Sequence, residues 1–168
     1  VTKLPFTDSN CSFIYSRHFN GSLTLTFIVS KYIYAMDILL IEDDLIEVMK
    51  LKRTVSKLNL KHSIIEAKNG EEALSYLRSG EKLPDIILLD LNMPRMNGIE
   101  FLSILKKDEL LQYLPTIILT TSENRADLLK CYQAGIAGYV IKPLKYEDYE
   151  YKLNAVLEYW SVNQLVKG

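Results

Sequence analysis

Apolar residues in this chain form short unbroken runs, most of them closed by a polar group, and between the runs they recur every three or four positions. The runs are Ile38-Leu39-Leu40-Ile41 into Glu42-Asp43-Asp44, the shorter Ser63-Ile64-Ile65-Glu66-Ala67, Ile86-Ile87-Leu88-Leu89 into Asp90, Thr116-Ile117-Ile118-Leu119 into Thr120-Thr121-Ser122, and Gly138-Tyr139-Val140-Ile141 into Lys142-Pro143. Consecutive branched residues mark strands buried on both faces, as in a parallel sheet covered by helices. Between them, Val48, Leu51, Val55 and Leu58 fall at helical spacing. Asn69 with Glu72 has capping-box form and opens a helix through Ala73, Leu74 and Leu77 that Gly80 ends. Ile99, Phe101, Leu102 and Leu105 face inward on a third helix, Arg125–Gln133 reads as a fourth stopped by Gly135, and Tyr146–Gln164 as a fifth. Five strand–helix units with short connections predict an α/β fold, a doubly wound parallel sheet with right-handed crossovers.

Parallel strands bring their carboxyl ends to one edge, which is where open α/β sheets place their ligand sites. The groups gathered there are the acids Glu42, Asp43 and Asp44, then Asp90, the Thr120 hydroxyl and the Lys142 ammonium. After Asp90, Met93-Pro94 stops regular structure, and Asn97-Gly98 is read as a turn that tolerates positive φ. Taken singly each group has an ordinary explanation. An Asp after an apolar run is usually a turn or cap residue, acids at a helix start complement its dipole, and Asp44 is assigned that role. A Lys before Pro is most often a solvated loop residue.

Together the groups have a chemistry. Glu42, Asp43 and Asp90, with a backbone carbonyl from the following loop, suit a hard divalent ion. Mg²⁺ fits best, because it takes a few carboxylates and keeps waters and phosphate oxygens as its other ligands. No His or Cys is near in sequence to suggest zinc or a redox metal. With Mg²⁺ on one side, Asp90 can attack a phosphoryl group and form an acyl phosphate. Lys142 and Thr120 then serve its oxygens. A phosphatase that uses an Asp nucleophile would need a second Asp two positions on as acid/base, and Asn92 stands there.

In the order Ile41-Glu42-Asp43-Asp44, Leu89-Asp90-Leu91-Asn92-Met93-Pro94 with Asn97-Gly98, Leu119-Thr120, Ala134-Gly135 and Gly138-Tyr139-Val140-Ile141-Lys142-Pro143, residues 36 to about 160 resemble the receiver domain of two-component response regulators. The resemblance implies a flavodoxin-like sheet of order 2-1-3-4-5 with five helices. It implies that Asp90 is the phosphoacceptor, Asp43 a direct Mg²⁺ ligand, Glu42 a ligand through metal-bound water, and the Asn92 backbone carbonyl a metal contact. Thr120 would be the hydroxyl switch, Lys142 the lysine of the site, and Tyr139 the aromatic that turns inward on activation. The donor would be a sensor histidine kinase or a histidine phosphotransfer protein, and the output would pass to a downstream protein or to a second copy. A receiver that binds partners without phosphorylation is the alternative. The stretch after Lys142 is too short for an output domain, which resembles stand-alone receivers of the chemotaxis type. The Leu91–Gly98 phrase and Tyr159-Trp160 lean toward the type associated with phytochrome kinases.

Composition narrows the partners. In 168 residues, 20 Lys plus Arg against 21 Asp plus Glu leave no basic excess for nucleic acid. Apolar content of 48% and charged content of 24% are those of an ordinary soluble globular protein, a cytoplasmic location is expected, and the Leu23–Ala35 stretch is too short to span a membrane. Cys11 and Cys131 lack any metal or redox spacing and are read as reduced thiols. Residues 1–35 match none of the strand–helix grammar and are expected to be a leader outside the fold, with 36–168 as the receiver domain. Three finer expectations concern geometry. Lys142-Pro143 should be cis, so as to aim Lys142 at Asp90. Tyr149, Leu153, Val156 and Trp160 should form the docking stripe of the last helix. Tyr159 and Trp160 at its end should be an exposed contact anchor for the face of the fourth helix, last strand and last helix.

Overall fold

A computed structural model describes residues 35–165. The strands are β1 Asp37–Ile41, β2 Ser63–Ala67, β3 Ile86–Leu89, β4 Thr116–Thr120 and β5 Gly138–Ile141. The helices are α1 Leu45–Lys57, α2 Gly70–Leu77, α3 Gly98–Leu105, α4 Arg125–Gln133 and α5 Tyr146–Ser161. All strand pairs are parallel and the sheet order is β2-β1-β3-β4-β5. This is the flavodoxin-like arrangement. The expectation for a leader over residues 1–35 lies, but for Ala35, outside the described residues.

Period-two alternation sends neighbouring residues of one strand to opposite faces. Leu39 and Ile41 of β1 and Ile87 and Leu89 of β3 pack with Leu74 and Leu77 of α2, Phe101 and Leu105 of α3, and Cys131 of α4. Ile38, Leu40, Ile86 and Leu88 pack on the other face with Val48, Leu51 and Val55 of α1 and Tyr149, Leu153 and Leu157 of α5. Each fully buried Leu or Ile contributes about 1.5–3 kcal/mol against exposure. With both faces covered, the strand ends have little freedom to move.

Helix starts fix where the loops leave the sheet. Asp44 caps α1 through the Ile46 amide, Asn69 caps α2 through Glu72, and Asn97 with Glu100 forms a full capping box on α3. That last motif corrects one expectation. Asn97 has φ −74° and is a cap, while the positive φ of the loop falls on Arg95 at 65°. Gly98 is needed for closeness instead: a Cβ there would collide with the Asp90 carbonyl oxygen and lie 2.8 Å from Leu91 Cα.

The last helix also differs from its sequence reading. It ends at Ser161, and its buried line is Tyr149, Leu153, Leu157 and Ser161, steps of four throughout. Val156 and Trp160 flank this line and are only partly buried against the α1/α5 side of the core. No helix among the described residues is long and apolar enough to cross a membrane.

Candidate functional site

The carboxyl ends of β1, β3, β4 and β5 deliver Glu42, Asp90, Thr120 and Lys142 to one edge of the sheet. Glu42, Asp90, Thr120 and Lys142 are buried, and Asp43 is exposed. One ligand oxygen from each of Glu42, Asp43 and Asp90 can be chosen so that all three lie within 4.8 Å of one another. The Glu42 amide donates to Ala67 O of β2 and the Asp90 amide to Ile41 O of β1, so sheet bonding continues one step past the strands and pins both acids.

Lys142 Nζ donates to Glu42 Oε2 at 2.5 Å and reaches Asp90 Oδ1 at 3.5 Å. Asp90 Oδ2 accepts the Asn92 amide at 2.9 Å. Asp90 is therefore partly the turn residue that its position suggests, with its other oxygen aimed at Lys142. None of the described peptide bonds is cis. Lys142-Pro143 is trans, contrary to expectation. The Lys142 amide still donates to Thr120 O at 2.8 Å, so β4–β5 pairing carries the residue to the edge and alternation turns its side chain inward without help from the proline.

Thr120 Oγ1 accepts from the Ser122 amide at 3.3 Å, and Tyr139 Oη donates to Ser122 O at 3.0 Å. One loop thus joins the hydroxyl to the aromatic. Thr121, just outside, is exposed. Trp160 is half-buried, with Tyr159 edge-on at 5.2 Å between ring centroids. The exposed member of the expected anchor is Tyr159 alone.

Electrostatics follow from burial. Burial pushes the Glu42 carboxyl up to about 7, with the Lys142 bond and charge pulling it back and Asp90 adding to the rise. Burial works to lower Lys142, but the Glu42 bond and the charges of Asp90, Glu42 and Glu47 outweigh it, and its pKa lies above the ordinary value. Lys142 is the ammonium that neutralises part of the carboxylate cluster. Three carboxyl groups against one ammonium, with Glu42 pushed up to about 7, leave a cluster of net negative charge made wholly of oxygen donors, and that set fits a hard divalent cation. The sequence pattern does not reveal the Lys142–Glu42 contact, because it assigns Glu42 to the metal and Lys142 to the phosphoryl oxygens.

A family model described as the response regulator receiver domain matches residues 38–154. The chain belongs to that family. As a receiver domain of two-component signalling it is 38% identical over 127 residues to the probable methanogenesis regulatory protein FilR2 of Methanothrix harundinacea, covering 73% of this chain and 82% of that protein. Its fold is similar to the crystal structure of the phosphorylated cyanobacterial phytochrome response regulator RcpA, with a TM-score of 0.74 and 28% identity over 79% of this chain and 99% of that one. It is also similar to the Mn²⁺-bound form of response regulator Rcp1, with a TM-score of 0.73 and 26% identity over 78% of this chain and 99% of that one.

Proposed function

We propose that Asp90 accepts a phosphoryl group from a sensor histidine kinase or a histidine phosphotransfer protein, and that the phosphorylated receiver domain signals by binding another protein. The observation that carries this reading is the meeting of three carboxylates and the Lys142 ammonium at one sheet edge. Receivers described as phosphorylated and as Mn²⁺-bound share this fold. Glu42, Asp43, Asp90 and the Asn92 carbonyl would hold Mg²⁺. The ion supplies charge neutralisation and a fixed place for phosphoryl oxygens.

Asp90 Oδ1, the oxygen free of the Asn92 turn, attacks phosphorus. The P–N bond to the donor imidazole breaks, the imidazole leaves with its electron pair and takes a proton, and an acyl phosphate remains on Asp90. Lys142 follows the charge from the carboxylate to the phosphoryl oxygens, and Thr120 donates its hydroxyl proton to another of them. Leu45, Ile46 and Met49 at the start of α1, and Leu144 after β5, are exposed apolar side chains close in sequence to these acids and to Lys142. They form the docking rim for the donor.

Output runs through α4, β5 and α5. A groove of ≈ 470 Å³ there is lined by Leu128, Tyr139, Val140, Tyr151 and Lys152 among others, and Tyr132 and Tyr159 are exposed on the same two helices. When Thr120 turns to the phosphoryl group, its bond to the Ser122 amide is given up and the Tyr139–Ser122 contact is free to rearrange. The bound protein is a downstream partner or a second copy.

Incubation with a small acyl phosphate and Mg²⁺ should label wild type and leave Asp90→Asn unlabelled. Equal labelling of both would place the phosphoacceptor elsewhere.

A further inference from the structure

The loop from Asn92 to Asn97, between β3 and α3, is held at both ends. The Asn92 amide donates to Asp90 Oδ2 at 2.9 Å, and at the base the Gly98 amide donates to Leu91 O at 3.1 Å. Between those ends Arg95 stands at φ 65°, a left-handed conformation that a side chain disfavours. Arg95 is exposed, so its own packing does not keep it there. Such a residue persists only where its surroundings fix it.

The hold comes from the next residue. Among the described residues, one hydrogen bond ties positions 92–97 to an element other than the β3 end and α3. It runs from the Gly70 amide, at the start of α2, to Met96 O at 3.2 Å. The Met96 side chain lies against the same glycine: a Cβ at 70 would fall 2.7 Å from Met96 Cγ and Sδ and 2.9 Å from Phe101 Cβ. The φ of Gly70 is not positive, so its conformation does not call for glycine, and the start of a helix gains nothing from glycine's freedom. Space calls for it. A side chain at 70 would have to displace Met96, and with it the peptide that the Gly70 amide binds.

We propose that Gly70 is a positioning residue for the loop that carries Asn92. Its amide and its bare Cα seat Met96, the seat fixes the bend at Arg95, and the bend holds Asn92 in place for its carbonyl to serve the metal. This rests on the assignment of Asn92, Asp90 and the acids given above. Gly70 is not itself a ligand, and α2 acts on the site through the loop alone.

The test compares Mg²⁺ affinity, by titration calorimetry, with urea midpoints in the absence of metal. The proteins are wild type, Gly70→Ala, Met96→Ala, the double variant, and Val55→Ala, a cavity on the opposite face of the sheet from Met96. The Mg²⁺ dissociation constant should rise about tenfold in each loop variant, the scale for losing the support of a metal ligand. Val55→Ala should lower the midpoint and leave that constant near wild type. With Met96 already cut back the seat has nothing to hold, so the double variant should bind Mg²⁺ much as Met96→Ala does. Met96→Ala adds no atom to the contact and decides the matter if Gly70→Ala fails to fold. An unchanged constant in either single variant, with only the midpoint lowered, would make Gly70 a packing residue. A further loss of about tenfold in the double variant would show that the two residues act separately and would overturn the seat. Wild type that binds Mg²⁺ and takes label keeps the reading of the site intact whatever the variants show. Wild type that does not bind Mg²⁺ removes that reading, and the role of Gly70 with it.

Discussion

Lys142 sits a full ångström closer to Glu42 than to Asp90, at 2.5 Å against 3.5 Å. On the proposed reading of Asp90, its ammonium is thus stored on the acid that does not react, one short swing from the acid that does. Removing the ammonium should leave Asp90 as nucleophile but without a charge for the developing phosphoryl oxygens. We expect Lys142→Ala to be labelled by an acyl phosphate about 10²-fold more slowly than wild type, the scale for losing one preorganised donor. A rate equal to wild type in a labelling time course would show that Lys142 serves only Glu42.

Asp43 is the exposed acid of the cluster and carries no packing role. Asp43→Asn should therefore separate binding from folding. Mg²⁺ affinity should fall at least about tenfold, while the thermal midpoint in the absence of metal stays near wild type. A lowered midpoint with unchanged affinity would reverse the assignment.

Gly98 tests the close approach of α3 to the Asp90 strand. A Cβ at 98 meets backbone of Asp90 and Leu91, which cannot step aside as a side chain could. Gly98→Ala should cost about 2–3 kcal/mol of unfolding free energy. Gly138→Ala is the control. Its Cβ meets only Ile117 Cγ2 at 3.6 Å, an ordinary contact, and urea midpoints should place it within about 0.5 kcal/mol of wild type.

His62 gives a pH dependence remote from the acids. Its Nδ1 accepts the Met36 amide at 3.1 Å, so the ring proton is on Nε2, which is buried and unpartnered. Burial holds its pKa below the ordinary 6.5, with Asp85 opposing. The unfolded chain therefore binds the proton first as pH falls. The contribution is complete above 6.5 and is lost on acidification through the folded value. Urea midpoints should decline over that window more steeply in wild type than in His62→Gln. Parallel curves would mean that His62 titrates alike in both states.

The parallel sheet was legible because β3 and β4 are buried on both faces and leave no polar alternation to confuse with a helix. The four polar strand ends were legible for the same reason: topology alone brings Glu42, Asp90, Thr120 and Lys142 together. What sequence could not reveal was pairing within the cluster. Nothing local says that Lys142 chooses Glu42, because that choice depends on which carboxylate is poorer in other donors. Asp90 already holds the Asn92 amide at 2.9 Å, whereas Glu42 has only a 3.3 Å contact from Asp44. The proline after Lys142 invited a cis bond that strand pairing made unnecessary. On α5, stepping by four, three and four put Trp160 in line. The helix instead keeps steps of four through Leu157, a residue with no special signature in the sequence.

The Lys142–Glu42 contact spans 100 positions of chain. Closing so long a loop has an entropic cost, and the sheet that offsets it places β3 and β4 between β1 and β5. A nascent chain emerging from the ribosome carries Asp43 and Asp90 long before it carries Lys142. During that interval its acids are an unbalanced cluster without their ammonium. If Asp90 is the phosphoacceptor proposed above, competence to receive a phosphoryl group is a late property of synthesis, gained when the last strand docks, and a chain truncated before β5 would keep the carboxylate yet lack the Lys142 cation.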